Sequence, residues 1–131
     1  MSVAVLGAGA FGTALAIALA ENGPVTLWAR DADHCARMAS DRENRDRLLG
    51  FAFPENLSVC AQLETVFSAD TLLLAMPMQA LSGFARANDL GGKTVVACCK
   101  GMDLETGRGP SGLLGTAGTV AVLTGPSFAA D

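Results

Sequence analysis

The sequence has few charged residues and no long apolar segment, and each shortage excludes a class of protein. Only 17% of the 131 residues are charged and 50% are hydrophobic, which is the composition of a globular domain rather than of a disordered chain. The apolar runs are interrupted well before the roughly 20 residues that a membrane-spanning helix needs. The first residues carry no basic cluster, so we expect no signal peptide, no membrane insertion and a cytoplasmic location.

Histidine and paired cysteines are scarce as well. The four cysteines form no C-x-x-C pair, and the only histidine, His34, adjoins Cys35 on a predicted helix, where neighbouring side chains point apart. We therefore predict no metal site, and we interpret Cys98 and Cys99 as small apolar residues of a buried strand. A net charge of −4 gives no broad attraction to nucleic acid or to an anionic membrane, so neither is predicted as a partner.

The first 28 residues have a clear pattern. Val3–Leu6 is a short apolar run, typical of a strand that is buried on both faces. A glycine-rich turn follows, and Phe11–Asn22, which is rich in Ala and Leu and is followed by Gly23, is a predicted helix. Val25–Trp28 is a predicted second strand. A strand, a glycine turn, a helix and a strand within about 30 residues form one βαβ unit.

The rest of the chain continues this alternation. Further strands are predicted at Ser58–Ala61, Thr71–Met76, Thr94–Cys99 and Thr119–Thr124. Helical stretches are predicted at Asp31–Leu49 and Gln79–Ala87, a loop at Gly50–Leu57 and a glycine-rich connection at Gly107–Gly118. Such alternation predicts an α/β fold of the Rossmann-like, doubly wound kind, with a mostly parallel sheet and helices on both faces.

The glycine turn, Gly7-Ala8-Gly9-Ala10-Phe11-Gly12, matches the pattern G-x-G-x-x-G between a strand and a helix, which is the context of a dinucleotide site. Gly7 permits the tight turn, Gly9 lets the backbone approach a pyrophosphate, and Gly12 lets the helix pack closely on the strand. The N–H groups and the dipole of the helix start then face the phosphates. The turn therefore predicts NAD(P)H binding.

The end of the second strand bears on the choice between NADPH and NADH. Proteins that prefer NAD usually place an acidic residue there, about 20 residues beyond the motif, to accept hydrogen bonds from ribose hydroxyls. Here Arg30 stands at that place and Asp31 follows it. Because an arginine can pair with the 2′-phosphate of NADPH and stack on adenine, NADPH is favoured over NADH.

Several segments carry a family resemblance: GAGAFGTALA at 7–16, LWAR at 27–30, PENL at 54–57, AMPMQAL at 75–81, KGMD at 100–103 and GPSFA at 125–129. In these segments, which span nearly the whole chain, the sequence resembles the N-terminal part of the NAD(P)-dependent glycerol-3-phosphate dehydrogenases of bacterial type. The resemblance implies hydride transfer between nicotinamide C4 and C2 of dihydroxyacetone phosphate, which gives sn-glycerol 3-phosphate for glycerophospholipid synthesis.

The resemblance also implies roles for seven residues by their position. These are Ala10, Phe11, Arg30 and Ala129 at the cofactor, Gly125 and Ser127 at the substrate, and Lys100 at both. Taken without the resemblance, Lys100 has the alternative of a solvated lysine at a strand end, and Ser127 that of a cap for a helix beginning at Phe128.

In the family that the sequence resembles, an all-helical second domain follows and carries the lysine that acts as general acid or base. Residues 1–131 are therefore interpreted as the NAD(P)-binding domain alone, without a catalytic residue of its own and with negligible turnover. A homodimer is compatible with the full-length protein. Two alternatives stay open: an NADPH enzyme of the ketopantoate reductase type, in which the GPSFA segment is not expected, and a dinucleotide-binding module without catalysis.

Overall fold

The computed structural model describes residues 2–76, 83–84, 93–98 and 119–122, the last four by their backbone. These residues form one parallel sheet of six strands in the order β3-β2-β1-β4-β5-β6. The strands are β1 (Val3–Leu6), β2 (Val25–Trp28), β3 (Leu57–Cys60), β4 (Thr71–Leu74), β5 (Thr94–Ala97) and β6 (Thr119–Val122). In the central strand β1, Val3 lies opposite Val25 of β2 and Thr71 of β4.

The described helices cover both faces of this sheet. They are α1 (Ala10–Ala20), α2 (Ala32–Asp41) and α3 (Leu63–Val66). On one face, here called the α1 face, Ala16 of α1 and Met38 of α2 pack with Val5 and Leu27 of the sheet. On the opposite face, Val66 of α3 packs with buried residues of β1, β4 and β5. The predicted doubly wound α/β fold is confirmed.

The strand ends differ from the predictions by one or two residues. All strands pair over the same four-residue width: the predicted Thr71–Met76 and Thr94–Cys99 stop at Leu74 and Ala97, and the predicted Thr119–Thr124 is described over Thr119–Val122. Strand β3 starts at Leu57, one residue earlier than predicted, because this buried residue pairs with Val25. The predicted loop Gly50–Leu57 accordingly ends at residue 56.

The bounds of the first helix also shift slightly. Helix α1 begins at Ala10 rather than Phe11, because Gly9 has extended backbone angles and forms the cap. Its regular part ends at Ala20, and the Asn22 N–H closes a final turn by donating to the Leu19 carbonyl (3.0 Å).

The single helical region predicted over Asp31–Leu49 is wrong in its second half. Helix α2 ends at Asp41 because Arg42 adopts the left-handed conformation, with φ of 53°. The Arg42 carbonyl accepts from the Phe53 N–H (2.7 Å), and its guanidinium donates to the Pro54 carbonyl (2.7 Å). These bonds fold the following segment back on itself instead of letting it continue as a helix.

Helix α3 was missed by the sequence analysis, because four residues are too few to show a helical period. Its inner residue Val66 is only 1% exposed, which explains why this short turn persists. The predicted helix Gln79–Ala87 (apart from residues 83 and 84) and the connection Gly107–Gly118 lie outside the described residues. Within the described part of the chain, no helix is long and apolar enough to cross a membrane.

Candidate functional site

The glycine-rich turn lies at the carboxyl ends of β1, β2 and β4, where the strand order changes direction. The chain passes from β1 to β2 on one side and returns to the other side of β1 at β4. The Gly7 N–H donates to the Trp28 carbonyl (2.9 Å), and the Ala75 N–H donates to the Leu6 carbonyl (2.8 Å). Such a switch point is where open parallel sheets bind their ligands.

Two glycines of the turn are required by packing within the protein. Gly7 has φ of +121°, and a Cβ placed there would lie 2.6 Å from the Ala75 carbonyl oxygen. A Cβ at Gly12 would overlap the carbonyl oxygen of Gly7 and lie 3.1 Å from the Ala75 Cβ. Backbone atoms cannot move aside cheaply, so the fold itself excludes a side chain at both positions.

Gly9 is different, because a Cβ placed there would meet no atom of the described residues within 4 Å. It is the N-cap of α1, yet no side chain caps the helix and its first turn contains no acidic residue. The first N–H groups of any α-helix lack partners within the helix and carry its positive dipole end. An open, uncapped helix start of this kind fits an anionic group such as a pyrophosphate.

The side chains that begin α1 leave this space accessible. Phe11 is 44% exposed and Ala10 is half-buried. The structure therefore brings the five predicted positions of the turn to one edge of the sheet, with the exposed ring of Phe11 beside the uncapped start of α1.

Arg30 and Asp31 follow β2 at the same edge of the sheet. Arg30 is exposed and makes no hydrogen bond or ion pair with the residues that the structure describes. Asp31 is the N-cap of α2: its Oδ1 accepts from the N–H groups of Asp33 (2.9 Å) and His34 (3.2 Å). The acid is thus engaged by the helix, while the cation is available to a ligand.

Sequence analysis missed Asn44, a fully buried residue that contacts the turn. Its Nδ2 donates to the Ala8 carbonyl (2.9 Å) and to the Thr13 hydroxyl (2.8 Å), and its Oδ1 lies 3.0 Å from Nε2 of His34. With both amide hydrogens used in this way, His34 is assigned as the donor of the third bond. No periodicity or motif marks Asn44, because it lies in a charged, irregular segment.

Two of the three described cysteines, Cys35 and Cys98, pack as apolar residues. Burial raises the pKa of the Cys98 thiol to about 11, and burial is also the main cause of the raised pKa of Cys35. Thiols with such values stay protonated at neutral pH, whereas metals and electrophiles require the thiolate. Among the described residues, no group of three or more His, Cys, Asp or Glu is placed to hold a metal ion. Cys98 packs on the α1 face, and Cys99 lies outside the described residues.

A cavity of about 170 Å³ lies between α2 and the segment after it, and none of its lining residues belongs to the turn. The lining residues are His34, Arg37, Met38, Asp41, Glu43, Arg45 and Asp46. The Arg37 guanidinium donates to the Asp46 carboxylate (2.9 Å) and lowers its pKa. The two guanidinium groups pair with the three carboxylates of the lining, Arg37 with Asp46 and Arg45 with Asp41 and Glu43, so we do not assign a ligand to this cavity.

Four of the predicted site residues lie outside the described residues: Lys100, Gly125, Ser127 and Ala129. Their roles stay predictions. The site that the structure shows is therefore the dinucleotide side of the crevice, formed by the turn, the start of α1 and the end of β2.

Comparison with known proteins agrees with this geometry. The profile of the family described as "NAD-dependent glycerol-3-phosphate dehydrogenase N-terminus" matches residues 2–131. A curated relative from Ruegeria sp., named glycerol-3-phosphate dehydrogenase [NAD(P)+], is 53% identical over 136 residues. The match covers 100% of this chain and 42% of the relative, so the chain spans about two fifths of that protein's length.

Solved structures show the same relationship. The crystal structure of glycerol-3-phosphate dehydrogenase from Coxiella burnetii superposes with a TM-score of 0.87 and 29% identity, over 97% of this chain and 41% of that one. A probable 2-dehydropantoate 2-reductase from Bacillus subtilis reaches a TM-score of 0.61 at 16% identity, over 82% of this chain and 39% of that one. The second likeness shows a shared fold alone.

Proposed function

The chain belongs to the family of NAD-dependent glycerol-3-phosphate dehydrogenase N-terminal domains, and from this premise we propose that it is the dinucleotide-binding domain of an oxidoreductase. The proposed reaction interconverts dihydroxyacetone phosphate and sn-glycerol 3-phosphate with NAD(P)H, and it serves glycerophospholipid synthesis. Because the chain covers 42% of its relative, the reaction is assigned to the longer protein of which this domain is a part.

The contrast between Gly9 and its two neighbouring glycines carries the cofactor proposal. A Cβ at Gly7 or Gly12 would meet protein backbone, whereas a Cβ at Gly9 would meet nothing. The open space lies at the uncapped start of α1, so a pyrophosphate there would accept hydrogen bonds from backbone N–H groups. Phe11 and Ala10 would border the same dinucleotide.

The end of β2 favours NADPH over NADH. The exposed guanidinium of Arg30 has no partner among the described residues and can form paired hydrogen bonds with a 2′-phosphate. The carboxylate of Asp31 already accepts two backbone N–H groups as a helix cap. Both bonds go to Oδ1, so Oδ2 alone is left for the ribose hydroxyls of NADH.

The chemistry of the reaction divides between two domains in this proposal. NAD(P)H supplies the hydride, and this chain binds and orients the dinucleotide. By family resemblance, Lys100 contacts cofactor and substrate, Gly125 and Ser127 the substrate, and Ala129 the cofactor. A helical domain beyond residue 131 supplies the general acid or base and excludes water, which hydride transfer requires. The chain alone is expected to show negligible turnover, and the full-length protein is proposed to be a cytoplasmic homodimer.

Titration of the 131-residue chain with NADPH and NADH, followed by the fluorescence of Trp28, tests the binding proposal. The Trp28 carbonyl accepts from the Gly7 N–H, so this residue adjoins the turn, and its indole packs on the sheet face opposite α1. We expect saturable quenching that is stronger for NADPH. A chain that unfolds cooperatively but binds neither cofactor would contradict the proposal.

The reaction itself is tested on the full-length protein. We expect it to oxidise NADPH with dihydroxyacetone phosphate and not with ketopantoate, while residues 1–131 alone oxidise it with neither. Turnover of ketopantoate would instead assign the reductase activity, and binding without turnover of either substrate would indicate a module that lacks catalysis.

A further inference from the structure

We propose that Asn44 is a positioning residue for the cofactor: it holds the glycine turn in the one orientation that aims the Gly9 N–H at the pyrophosphate. This inference rests on the proposed binding of a dinucleotide at the turn. Asn44 itself touches only protein atoms, so it acts through the peptide group that joins Ala8 to Gly9.

The orientation follows from the geometry of that peptide group. The Ala8 carbonyl points into the protein and accepts from Asn44 Nδ2 at 2.9 Å. No peptide bond of the described chain is cis, so the N–H of Gly9 points the opposite way from this carbonyl. That N–H donates to no described residue and faces the side where a Cβ at Gly9 would meet open space. One end of the peptide is anchored, and the other end is offered to a ligand.

The anchor is rigid because the hydrogen bonds of Asn44 hold it from several directions. The side chain is 0% exposed and bonds to Ala8, Thr13 and His34 at the same time, and its bond to Thr13 is fully buried. Its backbone carbonyl also accepts from the Leu48 N–H (2.7 Å). A buried amide with both hydrogens and its oxygen engaged has a single favourable orientation.

Loss of this anchor changes the ligand-binding side of the turn. Without Asn44, the part-buried Ala8 carbonyl loses this partner, and rotation of the peptide toward solvent would give it another. The same rotation withdraws the Gly9 N–H and presents a carbonyl oxygen to the phosphates. We therefore expect the affinity for the cofactor to fall by more than a loss of folding stability alone would cause.

The test compares Asn44→Leu, a substitution of similar shape without donors, with two controls in the 131-residue chain. Asn56→Leu removes the same kind of bond, from an amide Nδ2 to the Ala20 carbonyl (3.0 Å), at the far end of α1. Val66→Ala lowers stability through the opposite face of the sheet. The readouts are the NADPH dissociation constant and the shift of the Gly9 amide signal in ¹H–¹⁵N spectra on adding NADPH.

We expect Asn44→Leu to weaken NADPH binding by at least about tenfold and to abolish the Gly9 shift, with each control within about twofold of the unchanged chain. His34→Ala keeps Asn44 but removes its third bond, and should weaken binding by about threefold. If Asn44→Leu does not fold, the affinity of His34→Ala for NADPH tests the positioning role instead. Unchanged affinity in Asn44→Leu or, failing that, in His34→Ala overturns the positioning role. Absence of NADPH binding by the unchanged chain would instead overturn the proposed function, and this role with it.

Discussion

The glycine turn has a packed side and an open side, and the two sides obey different constraints. On the packed side, Gly7 and Gly12 face backbone atoms at distances that exclude a side chain, and Asn44 anchors the Ala8 carbonyl. On the open side, a Cβ added at Gly9 would meet no atom of the described part of the chain within 4 Å. Phe11 is exposed there and the helix start is uncapped.

The difference separates what the fold requires from what a ligand requires. Each residue of the packed side is explained by contacts within the chain. On the open side, no contact within the described part of the chain explains why position 9 is a glycine or why the start of α1 has no side-chain cap. A dinucleotide accounts for both features, because its pyrophosphate needs close backbone approach and unpaired N–H groups.

The largest effect is expected from Gly12→Ala on the packed side. The added methyl group would overlap the Gly7 carbonyl oxygen, so we expect a loss of about 3 kcal/mol in the free energy of unfolding, measured by urea denaturation. A loss below about 1 kcal/mol would show that α1 can shift away from β1 at little cost.

Gly9→Ala is the matched substitution on the open side. Its φ of −75° suits alanine, so stability should change by less than about 1 kcal/mol. The methyl group would stand between the backbone and the pyrophosphate, and NADPH binding should weaken by about a hundredfold. If the calorimetric affinity for NADPH is unaffected, the distinction between the two sides is wrong.

Arg30→Ala sharpens the comparison at the outer part of the site. Removal of the guanidinium should weaken NADPH binding by about tenfold and NADH binding by less than about twofold, because only NADPH carries the 2′-phosphate. Fluorescence titration with both cofactors measures this, with Arg47→Ala as the control at another exposed arginine. Equal losses for both cofactors would argue against the phosphate contact.

The smallest effect is expected from Asp31→Ala. Loss of the cap on α2 should cost about 1 kcal/mol of unfolding free energy without changing the affinity for NADH. Denaturant unfolding and an NADH titration check the two parts, with Asp33→Ala as a control for removing a nearby charge. A fall in NADH affinity would move the ribose contact to Asp31.

The sequence predicted those parts of the fold that rest on strong local patterns. β1 and β2 are short, mostly apolar runs, one before the glycine turn and one after Gly23-Pro24, and their predicted bounds are those observed. The prediction of one helical region after Asp31 failed because the charges there suit a solvated helix as well as a loop. The residue that ends the helix in the left-handed conformation is an arginine rather than a glycine. The bonds of Arg42 to Phe53 and Pro54 and the bridge between Glu43 and Ala52 hold that turn, and such contacts lie beyond any local pattern.

The candidate site likewise has features that local sequence patterns predict and features that depend on contacts distant in the chain. The motif predicted which residues form the turn and what each glycine does, since those roles follow from spacing. It did not predict that Asp31 would be engaged as a helix cap, although an acidic residue before a helix is the usual signal. Asn44 was out of reach, because its bond partners lie 31 and 36 positions away in the chain.

The most direct test of the account is a map of backbone amide shifts during titration of the chain with NADPH. The open side predicts the largest ¹H–¹⁵N shifts at Gly9, Ala10, Phe11 and Arg30, and little change at Val25 and Lys93, which lie at the opposite ends of their strands. Shifts centred on those opposite ends, or on the charged cavity beside α2, would contradict the assignment of the glycine turn as a dinucleotide site.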